Sequence, residues 1–327
     1  MKFKTSVNIL VIGDVMIDHY IYGNCNRISP EAPVQIVEVK NDVYTLGGAG
    51  NVVKNIIAFK CAVNLISVVG VVENALLIAN QLEKDGVSGE YLVKDSQRCT
   101  TVKSRVMVQS HQLIRLDREF IKPISDEVEN DFMKIIGNQI ANHDIVLLSD
   151  YNKGTLSSSL LSKVFKLCKA KGITTLVDPK GVDFSKYRGV NIIKPNKKEA
   201  TLATGIQIND NNSLLAACVK IKEITNCDDV VITMSEEGVA MFTNNELTII
   251  PTKALAVVDV TGAGDTVLAC LGVALAGGNT LYDACDFANH AAAIVVSKVG
   301  SAVATFEEIE REFQRKSNDN DDGTTPL

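Results

Sequence analysis

The chain has 327 residues, 46% of them hydrophobic, and a formal net charge of −6. Such a chain buries one large α/β core or two modest ones, which excludes a disordered protein and a small disulfide scaffold. The acidic balance argues against nucleic acid as a partner, because phosphate-backbone binding needs a basic face, and leaves a small polar substrate open.

The N-terminal "MKFKTSVNILVIGDVMID" has the lysines and apolar run of a signal peptide, but Asp14 and Asp18 interrupt the run and no small-residue cleavage site follows. It reads as a buried first strand. No stretch offers about 20 uninterrupted apolar residues, so no membrane span is expected. Eight cysteines lie scattered, without a C-x-x-C pair or a neighbouring histidine; this fits reduced thiols in the cytoplasm.

Further along, short runs rich in Val, Ile and Leu recur at 8–14, 63–70, 144–150, 174–178, 191–196 and 229–235. They predict strands buried on both faces, as in a parallel sheet. Helical patterns separate them: in "LSSSLLSKVFKLCKAKG", Leu160, Leu161, Val164, Phe165 and Cys168 share a face and Gly172 supplies the stop. The alternation predicts a doubly wound, mostly parallel α/β sheet flanked by helices, with ligands beyond the carboxyl ends of the strands. Asp14, Asp150, Asp178 and Asn196 occupy such ends.

Two stretches depart from this pattern. Residues 19–46 hold Pro30, Pro33 and the extended "VQIVEV"; residues 100–118 alternate Val102, Ser104, Val106 and Val108 against Lys103, Arg105, Met107 and Gln109, with a turn expected at Ser110-His111. Period-two alternation predicts half-exposed strands, read here as a small β-sheet forming a lid or a dimer face, with ordinary edge strands as the alternative. Residues 1–314 are expected to form one domain and 315–327 a disordered polar tail.

Three constellations could carry chemistry. "LGGAGN" (46–51) lets backbone approach a ligand, and Asn51 offers donor and acceptor groups to hydroxyls. "KPNKKE" (194–199) places Asn196 and Glu199 three apart at a strand-to-helix junction, where they either hold a hydrated Mg²⁺ or form a capping box. "DVTGAGDT" (259–266) sets successive amides at the mouth of an apolar helix, an anion site with a carboxylate, Asp265, inside it. No Gly-Lys-Ser/Thr follows, so it is not a P-loop, and it lacks the third glycine of a dinucleotide fingerprint. A carboxylate beside an anion hole can take the proton of a hydroxyl attacking a phosphoryl group.

Together, an early "GGAGN", a central "PNKKE" and a late "DVTGAGDT" resemble the ribokinase-like, or PfkB, sugar kinases in order and spacing, over roughly residues 8 to 312. Within that family, "GDVMIDHYIYGNCNRISPEAPV", "LSDYNKG" and "DPKGVDFSKYRG" look like the kinases of D-glycero-β-D-manno-heptose 7-phosphate, which make the 1,7-bisphosphate on the way to ADP-heptose and lipopolysaccharide core. Such kinases are often the N-terminal half of a bifunctional protein. No H-x-G-H motif of a nucleotidyltransferase occurs here, so a stand-alone kinase or a domain of a longer parent is expected.

The resemblance implies Asp265 as general base and Gly262, Ala263 and Gly264 as anion hole. It implies Asp18 and Asn51 on sugar hydroxyls, Gly48 on the same wall, and Asp14 and Asp150 nearby. Mg-ATP would be served by Asn196 and Glu199, the metal through water; Thr233, Ser235 and Gly238 would meet the nucleotide, and Asn289 the adenine. Asp259 lies in the loop where family members often hold K⁺. A homodimer through the lid is also implied. For a substrate phosphate, Lys103 and Arg105 are the leading candidates, with Arg27, Lys153 and Lys180 behind them; a solvated basic edge is the alternative. Two departures stand out: Gly50 replaces the usual alanine, and "GVVENA" (70–75) lacks the aspartate and glycine of the family's G-x-D-x-x-G loop.

Overall fold

A computed structural model describes residues 6–109, 111–252 and 257–312. The tail expected to be disordered and Ser110 of the expected lid turn lie outside them.

The first strand, β1 (Asn8–Gly13), is apolar and buried after the exposed Asn8. It leads directly into a hairpin of two long strands, β2 (Val15–Ile28) and β3 (Gln35–Gly48), and then α1 (Ala49–Ala58) and β4 (Ala62–Val69). Next come α2 (Glu73–Lys84), β5 (Leu92–Lys94), a second hairpin of β6 (Thr101–Val108) and β7 (His111–Arg118), and α3 (Asp126–Gln139). Then β8 (Ile145–Ser149), α4 (Ser158–Lys171), β9 (Thr174–Asp178), β10 (Ile192–Ile193), α5 (Lys197–Thr204), α6 (Asn211–Thr225) and β11 (Asp229–Thr233) follow. A hairpin of β12 (Val239–Thr243) and β13 (Glu246–Ile250) precedes α7 (Ala263–Ala276) and α8 (Leu281–Val296).

Nine strands form the main sheet in the order β13-β12-β11-β10-β9-β8-β1-β4-β5. Pairing is parallel from β5 to β11 and antiparallel at the two joints of the last hairpin. Because successive residues of a strand point to opposite faces, Ile9 and Val11 join the core under α1, α7 and α8, while Leu10 and Ile12 join the core under α3, α4 and α6. Burial on both faces explains why the strand sequences are continuously apolar. Helix α4 follows its pattern: Ser157 caps its start, the five expected side chains are buried, and Gly172 ends it in the left-handed region (φ 69°).

The four-stranded sheet, β3-β2-β6-β7, stands apart as the expected lid. Its boundaries need correction. The lid begins at Val15, not near residue 19, and continues to Gly48, so Asp18 lies within a lid strand, opposite Thr45 and Lys103, rather than at the end of the first strand. Only Asp14 separates β1 from the lid. The lid turn precedes His111, which already pairs with Val108.

Candidate active site

Helix α7 is apolar on all sides and is buried from Asp265 to Ala274, sandwiched between the sheet and its neighbours α1 and α8. Gly262 enters it in the left-handed conformation (φ 81°), which glycine adopts without penalty. The first amides of a helix lack intrahelical acceptors. That of Ala263 leans on the Val260 carbonyl at 3.3 Å, so those of Gly264 and Asp265 head the helix.

Asp265 is 5% exposed. The Asn51 side-chain amide donates to its Oδ2 at 2.8 Å, and the Tyr151 hydroxyl donates to its Oδ1 at 2.7 Å. Burial pushes the Asp265 carboxyl above the usual carboxylate range; the bonds from Asn51 and Tyr151 and the charge of Lys194 pull it back, and Asp18 pushes it up again. Asn51 is itself oriented by packing of α1 on α7: Asn55 donates to the Asn51 carbonyl and accepts from Thr266 of α7. The buried Oδ1 of Asn51 has no hydrogen-bond donor among the described residues, an arrangement that suits a ligand hydroxyl.

These groups line a pocket of about 130 Å³ walled on one side by the lid. Asp18, Gly48, Lys103 and Arg105 complete its wall. Gly48 has φ 58°, and a Cβ there would lie 2.3 Å from the Asp14 carbonyl, so the turn from lid to helix accepts no side chain. Arg105 is ion-paired to Asp18 and stacks over Tyr20. Lys103 differs: its Nζ lies 5.5 Å from the centre of the Tyr151 ring, and it has no carboxylate partner within ion-pair distance among the described residues. Burial, the largest influence, lowers its pKa, with Asp18 opposing and Lys153 assisting.

A second groove, of about 560 Å³, opens where α5 faces the turn after β11, lined by Asn196, Lys197, Lys198, Thr201 and Ser235. Asn196 and Glu199 form the capping box, each side chain bonded to the other's backbone amide.

The pattern of pfkB family carbohydrate kinases matches residues 7–308. The chain belongs to the PfkB family of carbohydrate kinases. Curated relatives called Bifunctional protein HldE, from Helicobacter hepaticus and Campylobacter curvus, are 49% identical over 304 residues and 45% identical over 312. The alignments cover 93% and 95% of this chain but 63% and 66% of those proteins, so this PfkB chain spans just under two thirds of their length. Among solved structures, an Arabidopsis thaliana ribokinase complexed with ribose and ATP superposes with a TM-score of 0.73 at 20% identity, over 94% of this chain and 98% of that one. Phosphofructokinase-2 from Escherichia coli, in complex with potassium, gives 0.77 at 16% identity, over 96% and 100%. At these identities the likeness is one of fold.

Within this PfkB chain, the structure brings Asp265, Gly262, Asp18, Gly48, Asn51, Lys103 and Arg105 into one pocket and places other expected residues elsewhere. The Asp14 carboxylate accepts the backbone amides of Tyr151, Lys153 and Thr155 at 2.9, 3.1 and 3.2 Å, so it shapes that loop and does not line the pocket. Asp150 is likewise occupied, accepting from Asn152, Lys186 and Tyr187. Lys153 pairs with Glu119 at 2.7 Å, and Lys180 with Glu199 at 2.6 Å on the groove side. Arg27 is exposed on the far part of β2. These five side chains, Asp14, Asp150, Lys153, Lys180 and Arg27, therefore do not line the pocket, contrary to expectation.

On the groove side, Ser235 lines the wall, but the Thr233 amide bonds to Pro195. Gly238 packs against the Ile250 carbonyl, and Asn289 donates to the Pro251 carbonyl at 2.7 Å. These three fix the walls rather than line the groove. Asp259 accepts the amides of Thr261 and Gly300, both at 2.9 Å, tying its loop to the segment after α8. Burial raises the Asp259 carboxyl, but bonds from Thr261 and Gly300 outweigh it and hold it below the usual range.

Two features escaped the sequence reading. Lys194, 2% exposed, pairs with Asp178 at 3.0 Å directly below Gly264, whose missing Cβ would lie 3.8 Å from Asp178 and 4.0 Å from Lys194. Burial pushes Asp178 up to about 7, Lys194 opposes it, and Glu199 and Asp265 add to it. The signal was a lysine ending the apolar run "NIIK" beside a strand-end aspartate. The other is Tyr151, which lies within "LSDYNKG" but was assigned no role, and whose hydroxyl donates to Asp265.

Among the described residues no group of three or more His, Cys, Asp or Glu side chains is placed to hold a metal. Asp178 and Glu199, paired with Lys194 and Lys180, lie close enough for Glu199 to raise the Asp178 pKa and offer two hard-oxygen donors, which fits Mg²⁺, an ion that takes one or two carboxylates and leaves its other positions to water and phosphates.

Proposed function

We propose that this chain transfers the γ-phosphoryl group of ATP to the C1 hydroxyl of D-glycero-β-D-manno-heptose 7-phosphate, giving the 1,7-bisphosphate that feeds ADP-heptose and lipopolysaccharide core synthesis. The observation that carries this reading is a buried carboxylate, Asp265, sharing a pocket with a cation, Lys103, that has no ion-pair partner among the described residues. A neutral sugar offers such a cation only hydroxyl oxygens, whereas a sugar phosphate offers an anionic partner and a stronger, charge-assisted bond.

In this reading Asn51 and Asp18 orient the sugar hydroxyls, and Asp265 takes the C1 proton as that oxygen attacks in line. The pKa of Asp265, raised by burial, makes it a stronger base than an ordinary carboxylate. The Gly264 and Asp265 amides and Lys194 face the charge that develops beside Gly264. Asn196, Glu199 and Ser235 hold the nucleotide side, and the Asp259 loop is the proposed place for K⁺. When bound, Mg²⁺ supplies charge neutralisation on the phosphates. The lid keeps water from the pocket.

The reaction is placed in the cytoplasm, consistent with eight unpaired cysteines and with the absence of a membrane-crossing helix among the described residues. The lid leaves Tyr22, Val39, Val43, Tyr44, Ile114 and Leu116 exposed, which supports a homodimer through this sheet. Light scattering at micromolar concentration should give the dimer mass; a monomer would contradict that contact.

The substrate assignment is tested by coupled ADP release with Mg-ATP, comparing heptose 7-phosphate with fructose 6-phosphate, fructose and ribose. Preference for heptose 7-phosphate is expected. Preference for an unphosphorylated sugar would overturn the role of Lys103 and make this a kinase of another sugar.

A further inference from the structure

We infer that Tyr151 is a stopper on the base: its phenol occupies Asp265 until the sugar arrives, and so suppresses transfer of the phosphoryl group to water. The inference rests on the reading of Asp265 as general base. Three observations place Tyr151 for this work. Its hydroxyl donates to Asp265 Oδ1 at 2.7 Å, from the pocket side, where an acceptor hydroxyl must make the same bond. Its backbone amide is fixed by Asp14, which sets the ring's position through the loop rather than through the pocket. The third observation is the Lys103 ammonium, 5.5 Å from the centre of its ring.

Asp265 has two oxygens, and Asn51 occupies the other at 2.8 Å. Each oxygen can accept a second bond, so the phenol does not saturate the carboxylate; it holds the side of Oδ1 that faces the pocket, and water must displace it to be deprotonated there. Were Oδ1 open, a water there would lose its proton to Asp265 and take the phosphoryl group, giving ADP and inorganic phosphate. The sugar competes where water does not, because it brings several hydroxyls to Asn51 and Asp18 and, in the proposed substrate, a phosphate to Lys103. That phosphate draws the ammonium from the ring and removes one of the contacts holding the phenol. Tyr151 is thus a positioning residue that acts through Asp265.

The test is Tyr151→Phe, which keeps the ring and its packing and removes only the hydroxyl. ATP hydrolysis without sugar should rise about tenfold or more, the factor carried by one hydrogen bond to a charged group. That extra hydrolysis should vanish in the Tyr151→Phe, Asp265→Asn double variant. The acid limb of kcat/KM for sugar phosphorylation should move to higher pH, because the lost bond had favoured the ionised carboxylate. Asp18, Asp178, Lys194 and Lys103 also face or surround this carboxylate, so the comparison with wild type isolates the phenol from their constant influence. Unchanged basal hydrolysis and an unmoved limb, with phosphorylation still lost in Asp265→Asn, would overturn the stopper and leave the base in place. Retained phosphorylation in Asp265→Asn would remove both.

Discussion

Replacing Asp265 with Asn should lower kcat by at least ~10²-fold, the lower end of what a positioned general base contributes, while the fold survives. The amide is close in shape to the carboxylate and can satisfy the same neighbours. Its oxygen can accept from Asn51 and its NH₂ can donate to the Tyr151 hydroxyl, which also accepts. Stability should not fall. Asp265 has a folded-state pKa above its ordinary value, so its ionisation opposes folding as pH rises through the range between the two; a neutral amide escapes that cost. Steady-state kinetics with circular dichroism and a thermal melt at pH 7 to 8 check both parts. Near-normal turnover in a folded variant would remove the base from the mechanism.

Lys103→Ala should lower kcat/KM for a phosphorylated acceptor by ~10–10²-fold, the range of a hydrogen bond to a charged group, and leave an unphosphorylated analogue nearly unaffected. The comparison between the two acceptors matters more than either number. Lys103 lacks an anionic partner among the described residues, so its removal orphans no carboxylate, and the loss reports substrate contact. Arg105→Ala makes an informative contrast. It leaves Asp18 buried without its ion-pair partner, and such loss is costly whatever the substrate. An equal effect of Lys103→Ala on both acceptors would return Lys103 to the role of a solvated lid charge.

Much of the sheet was legible because strands buried on both faces must be apolar throughout, and β1, β8, β9, β10 and β11 fall within the expected runs while β4 begins one residue earlier. The hairpin of β12 and β13 was overlooked, although its signal was present: Asn244 and Asn245, both at positive φ, stand between two apolar runs in "VAMFTNNELTII". The lid was recognised by alternation, but its start was misplaced because the apolar beginning of β2 reads as a continuation of β1. Glycines and carboxylates of the site were visible through their spacing. Lys180 was assigned to the wrong side, since a charge in a loop carries no direction until the fold sets Glu199 beside it. Tyr151 stands inside "LSDYNKG", yet its role was not legible there, because it lies in a bond to a residue 114 positions away.

The capping box of Asn196 and Glu199 shows that a structural and a functional reading can coexist. One Glu199 oxygen closes the cap while the other faces Lys180. A lysine that yields Glu199 to the nucleotide side leaves the helix start intact.

The central claim is transfer to C1 of a sugar that already bears a phosphate in the Asp265 pocket. Its most direct measurement is phosphorus NMR of the product formed from heptose 7-phosphate and Mg-ATP. Transfer to C1 gives a sugar with two phosphorus signals, one coupled to the anomeric proton, appearing in step with ADP. A sugar left with its single phosphate, while ATP yields only ADP and inorganic phosphate, would contradict it.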